Sequence, residues 1–217
     1  MFTGWKEADF EVFQVEGLEL RMAALKERVR PKFESIGKVL APDLSAWYGE
    51  EFFVHVAKHA RRKTNPPNDS WVSFATNPRG YKMLPHFQIG LWATHAFVQF
   101  AIIYECVSKK QFAEKLAANW PDIKRQIPNQ MLWYDDHIHP DPVPHTQMED
   151  KIGQFTKRLL ENKNGELLVG IDIPKQEAVR MSGEMFLDKA REALYQLAPL
   201  YRLSLAGRQE AMEARKR

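Results

Sequence analysis

The sequence predicts an α+β fold, and three observations carry that expectation. Apolar residues recur at spacings of three and four over the first forty positions, the period falls to two from Trp71 onward, and helical spacing returns after Ser108. Leu18, Met22, Leu25, Val29, Phe33, Ile36 and Leu40 fall on one helical face, so residues 17 to 40 are expected to be helical. Pro31 lies inside that pattern. It lacks a backbone donor and crowds the preceding turn, so a kink or split is expected near Val29. A second helix is expected from Trp47 to Arg62, stopped by Pro66-Pro67.

Three strands then follow one another: Trp71 to Ala75, Leu84 to Trp92 and Ala96 to Tyr104. Asn77-Pro78-Arg79-Gly80 suits a type I turn between the first two. If the next loop has an even number of residues, Leu91 faces Ala96, Ile89 faces Val98 and Phe87 faces Phe100 on an apolar side. His86, Gln88 and Gln99 then share the other side, a polar and partly concave face. Ser108-Lys-Lys-Gln111 reads as a capping box opening a helix through Phe112, Leu116, Trp120 and Ile123 to Pro128. Met131 to Tyr134 and the loop from Asp135 to His145 connect it to a helix near Met148 to Leu160. A strand follows at Glu166 to Ile173, then a final helix at Glu184 to Leu197.

The chain of 217 residues is within single-domain range, and one domain is expected over residues 1–203, with a charged tail over 204–217. A net charge of +3 announces neither nucleic acid nor membrane, so any electrostatic argument rests on local clustering. The longest apolar run, Ala96 to Tyr104, is far short of a membrane span. Met1 to Phe13 has no targeting pattern, and the lone Cys106 excludes an internal disulfide. A cytoplasmic protein is the expectation.

At HVAKHARRKTNPP, followed by WVSF and NPRGYKMLPHFQIGL, the chain resembles the YktB-like family of uncharacterised bacterial proteins. The resemblance continues through Tyr104-Glu-Cys106, Met181-Ser-Gly183 and Pro199-Leu-Tyr-Arg202, and so covers Trp5 to Arg202. It implies an α+β two-layer sandwich, a largely antiparallel sheet with helices packed on one face. It implies no activity and no cofactor.

The segment His55-Val-Ala-Lys-His-Ala-Arg-Arg-Lys63 packs two histidines and four cations into nine residues with no acid among them. Such runs also occur as solvated helix faces. Three features favour an anion site here. The run abuts a Pro-Pro stop, a second basic group (Arg79, Lys82 and His86) lies on the following hairpin, and Trp71 and Tyr81 offer stacking surfaces. The expected ligand-binding set is Lys58, His59, Arg61, Arg62, Arg79, Lys82, His86 and Gln88, with the arginines clamping oxyanions and His59 and His86 donating hydrogen bonds. Its partner is an anionic small molecule, such as a phosphorylated metabolite, or a nucleic acid. The alternatives are an enzyme using these histidines as acid and base on a phosphoester, or a protein-interaction module.

No bound metal is expected. His55 and His59 stand four apart, as metal pairs on a helix do, but Val56 replaces the acid of the zinc-protease motif and Lys58 opposes a dication. Asp135-Asp-His-Ile-His139 has His-x-His spacing in a proline-rich loop, which reads better as a solvated acidic loop. Gly-rich phosphate loops and Gly-x-Ser-x-Gly are absent, and Cys106 reads as a buried inert thiol.

Overall fold

Helical periodicity at the start of the chain becomes three helices. In the computed structural model, which describes residues 1–138 and 141–214 with side chains as far as Gly207, α1 spans Glu7–Glu11, α2 Leu18–Ala24 and α3 Arg30–Tyr48. A π turn, Leu25–Val29, joins α2 to α3, and the Arg30 N–H reaches five residues back to Leu25 O. Pro31 is the cause. In a continuous α-helix its ring would collide with the carbonyl four residues earlier, whereas at the start of α3 its missing donor costs nothing. The split expected near Val29 is this π turn.

Gly49 ends α3 in the left-handed conformation, φ 69°, with its N–H on Ser45 O at 3.0 Å; glycine adopts that geometry without a Cβ penalty. The helix expected from Trp47 to Arg62 is therefore not formed. Past the stop, β-branched residues win, and β1, Phe53–Val56, pairs antiparallel with β2, Asp69–Ala75, from Phe53↔Ala75 to Val56↔Val72.

The remaining strands are β3 His86–Trp92, β4 His95–Ile102, β5 Leu132–Tyr134, β6 Val143–Pro144 and β7 Leu167–Pro174. Among the described residues they form a seven-stranded sheet in the order β1-β2-β3-β4-β7-β5-β6. With the helices this is the α+β sandwich that the sequence predicts. β5 and β6 arise where only a connection was expected, because strands of three and two residues are too short to show a period. The β3–β4 loop is Ala93-Thr94, an even number, and side-chain contacts follow the even register. Phe87 meets Phe100 at 5.9 Å and Trp92 stacks on His95 at 6.4 Å. Gly90 leaves no empty space on the sheet: a Cβ there would lie 2.6 Å from Ser70 O and 2.2 Å from the Phe97 ring.

The later helices are α4 Lys109–Ala118, α5 Trp120–Gln126, α6 Ile152–Glu161, α7 Lys175–Ala178, α8 Gly183–Gln196 and α9 Ala198–Ala214. The single helix expected from Ser108 to Pro128 breaks at Asn119, since Pro121 is tolerated only in the first turn of a new helix. Ser108 is the N-cap of α4, but its side chain makes no capping bond.

The chain's contacts fall into two units. The first comprises Met1–Arg79, Gln88–Val98 and Asp172–Glu192, and the second Gly80–Phe87, Gln99–Ile171 and Ala193–Arg217. In the first, Trp5 centres an aromatic cluster, with Phe2, Phe33 and Phe186 at 5.1, 5.6 and 5.7 Å. In the second, Phe87, Phe100, Phe112 and Tyr201 form a chain of ring contacts between 5.1 and 5.9 Å. Such buried rings contribute roughly 1.5–3 kcal/mol each. From Ser204, where a tail was expected, α9 instead continues to Ala214; Ser204 is fully buried and Gly207 abuts the backbone at Phe112. Among the described residues, no helix is long and apolar enough to cross a membrane.

Candidate functional site

Within the first unit, the basic run is a loop. The β1–β2 ladder closes with Ala57 N–H on Trp71 O at 2.8 Å, and the chain then turns out over Lys58 to Asn68 before β2 begins. Two arginines from the N-terminal helices hold its ends. Arg30 Nη2–H donates to Lys58 O at 2.9 Å; buried Arg21 donates Nη1–H to Pro67 O at 2.9 Å and Nε–H to Val15 O at 2.8 Å. Between them Arg62 N–H bonds to His59 O, closing a turn.

His59 is the one non-glycine residue among those described with a positive φ, 50°. Left-handed backbone at a histidine is uncommon and persists where its surroundings hold it. Here Nε2 is hydrogen-bonded to Ser70 Oγ at 3.1 Å, and the ring stands edge-on to Trp71 with centroids 5.5 Å apart. Burial, then the Arg62 charge, then the Arg30 charge push its pKa down to about 4, so the imidazole is neutral at pH 7. Burial and Arg62 likewise lower the pKa of Arg21. Arg62 makes only long bonds, at 3.3 Å to Asn65 O and 3.5 Å to Pro66 O, and it is exposed, as are Lys58, Arg61 and Lys63. Among the described residues none of Arg30, Lys58, Arg61, Arg62 or Lys63 is paired with a carboxylate.

The other residues expected at the site lie in different surroundings. Arg79 is exposed and donates its N–H to Asn77 Oδ1 at 2.9 Å. It follows Ala75, which pairs with Phe53, whereas Lys58 follows Val56 at the other end of the same ladder. Strand pairing thus sends these two cations to opposite ends of β1–β2. Gln88 is buried on β3 at 5% exposure. His55 lies on a strand and His59 in a loop, so the shared helical face proposed for them does not exist; His55 Nε2–H donates to Asn77 O at 2.9 Å. In the second unit, Lys82 pairs with Glu105 at 3.1 Å. His86, fully buried there, donates Nδ1–H to Leu84 O at 2.9 Å and packs against Tyr81.

The second unit also gathers Asp136, His137 and Glu166, whose ligand atoms lie within 4.8 Å of one another. Glu166 is almost fully buried. It accepts Tyr104 N–H at 3.2 Å, His137 N–H at 3.0 Å and His137 Nδ1–H at 2.6 Å, so backbone and ring donors already satisfy its oxygens. His139, the other half of the His-x-His spacing, lies outside the described residues. Cys106 is a buried free thiol whose pKa burial pushes up, as an inert cysteine requires.

Sequence reasoning missed Arg21, Arg30 and Ser70. Arg30 directly precedes the proline where a kink was expected, and that was its one local signal; its bond to the loop spans 28 residues.

The chain matches the family described as "Domain of unknown function (DUF1054)" over residues 5–201. A UPF0637 protein of Bacillus cytotoxicus is 50% identical over 200 residues, covering 92% of this chain and 96% of the relative. Another from Bacillus thuringiensis strain Al Hakam matches to the same extent, and one from Bacillus licheniformis is 50% identical over 199 residues, 91% of this chain and 94% of its own. Through these matches along nearly its whole length, the chain belongs to the DUF1054 family of bacterial proteins, a family of unknown function.

Proposed function

We propose that the Lys58 to Arg62 loop, with Arg30, binds an anionic ligand, either a phosphorylated metabolite or a nucleic acid. The observation that carries this reading is a loop of exposed cations, Lys58, Arg61, Arg62 and Lys63, fastened by Arg30, none of them paired with a carboxylate among the described residues. Cations gathered without counter-charge repel one another, and an oxyanion relieves that repulsion while accepting their N–H groups. A π turn and a left-handed histidine at the same place add support, because both recur at functional sites. The buried free thiol suits a reducing compartment, and we place the protein in the cytoplasm on that ground. The test is sulfate and nucleotide titration of Arg62→Ala and Arg61→Ala. Losing one charge-assisted bond should weaken binding by about 1.5–3 kcal/mol, roughly one to two decades, with little change in stability at these exposed positions. Equal affinities for wild type and both variants would sink the reading.

One observation favours a second reading, an enzyme with histidine acid and base chemistry on a phosphoester. His137 is oriented by buried Glu166 at 2.6 Å, as a general base is by its carboxylate. Phosphoester turnover lost in His137→Gln would support it, and no turnover by wild type would remove it.

A further inference from the structure

This inference deepens the anion-site reading and rests on it. Ser70 Oγ occupies His59 Nε2, while His59 Nδ1 makes no hydrogen bond among the described residues. Cations and neutral groups from α3, the loop and β2 adjoin the ring. Arg30 comes from α3, Lys58 and Arg62 from the loop, and Ser70 and Trp71 from β2; Arg21 of α2 acts on Arg62. Asp69, beside Ser70, is buried, and no acid figures among the charges acting on the imidazole. Of the loop's cations, Arg30, held on Lys58 O, and Arg62, whose N–H bonds to His59 O, directly adjoin the ring, and their two charges are matched by two negative charges. A phosphodiester brings one per phosphate, whereas a terminal phosphate brings two.

We propose that the ligand is a tetrahedral dianion, the terminal phosphate of a phosphomonoester, and that it binds together with one proton taken up from solvent by the His59 imidazole. No covalent bond changes. Burial first, then the fields of Arg62 and Arg30, hold the free ring at about 4; the dianion offsets those two fields, and a counter-charge within hydrogen-bonding range raises a pKa by about 1–3 units. The protonated ring then donates one N–H to the ligand and keeps the other nitrogen on Ser70. Because a proton enters with the ligand, affinity rises as pH falls.

The probe is sulfate, which keeps both charges across the pH range used and carries no proton of its own. Calorimetry at pH 5.5 and 7.5, in two buffers of different ionisation heat, reads affinity and proton uptake together. Wild type should bind sulfate about fourfold more tightly at the lower pH, the ratio that a rise of about two units in the ring's pKa gives, with net proton uptake. His59→Asn, a residue that tolerates left-handed backbone, should show less than about a twofold change and no uptake. Dimethyl phosphate, a monoanion, should bind wild type at least about tenfold more weakly than sulfate. Should His59→Asn fail to fold, the His59 titration midpoint in wild type must rise by about two units in saturating sulfate. Equal sulfate affinity at both pH values without uptake overturns the proton linkage and leaves the site standing, provided Arg62→Ala still weakens binding. No sulfate binding at either pH overturns the site itself. Dimethyl phosphate binding as tightly as sulfate, with an oligonucleotide displacing both, overturns the phosphomonoester in favour of a nucleic acid.

Discussion

Acid should find His59 before it finds most of the fold. The imidazole has a pKa of about 4 in the folded protein against 6.5 when unperturbed. Above pH 6.5 the ring is neutral in both states and contributes nothing to pH dependence. Between 6.5 and about 4 the unfolded chain takes up a proton that the folded chain refuses, so stability falls as pH falls, and below about 4 the loss is complete. At 1.36 kcal/mol per unit the ceiling is about 3.4 kcal/mol. Because protonation is not complete at pH 4.5 and solvent at the partly exposed ring screens part of this, about 2 kcal/mol is expected there. The assay is urea unfolding of wild type and His59→Asn at pH 7.5 and 4.5. At pH 7.5 the variant should be less stable by about 1 kcal/mol, having lost the Ser70 bond and the Trp71 contact. At pH 4.5 that order should reverse, because the variant has no imidazole to protonate. The other titrating groups are common to both proteins and cancel in the difference. Parallel pH profiles for the two would refute the charge environment assigned to His59.

Three further outcomes follow from contacts already described or adjoining them. Lys109 donates its ammonium to Asn162 O at 2.9 Å, Lys163 O at 2.7 Å and Gly165 O at 3.3 Å, so Lys109→Met should cost about 2–3 kcal/mol in a urea melt by orphaning these carbonyls. Arg21→Met frees Pro67 O and should both destabilise by about 1.5–3 kcal/mol and open residues 58–68 to limited proteolysis; unchanged cleavage would show that the loop does not need this staple. Cys106, buried with a raised pKa, should react with a disulfide reagent only as fast as the protein unfolds, and rapid labelling of the native state would contradict its placement.

The three strands from Trp71 to Tyr104 were legible because alternation and a two-residue loop are local, and together they also set which side chains oppose one another. The basic run was legible for the same reason: Lys58, His59, Arg61 and Arg62 are neighbours in sequence and remain so in space. Its conformation was not. The four-residue spacing of His55 and His59 suggests a shared face only if the segment is helical, and Gly49 with Val54 and Val56 argues against that. Arg30 could not be assigned to the site from sequence, because nothing local to it names Lys58 as its partner. Arg79 shows the converse. Closeness along the chain suggested convergence, and antiparallel pairing turned it into separation.

The π turn before Arg30 also sets a rotational phase. It holds one residue more than the α turn it replaces, and each helical residue advances the chain by about 100° and about 1.5 Å. Deleting any one residue between Leu25 and Val29 would rotate α2 by about 100° relative to α3, carrying Arg21 off Pro67 while Arg30 stayed on Lys58. The two ends of the cationic loop are gripped by helices whose relative phase depends on that single extra residue.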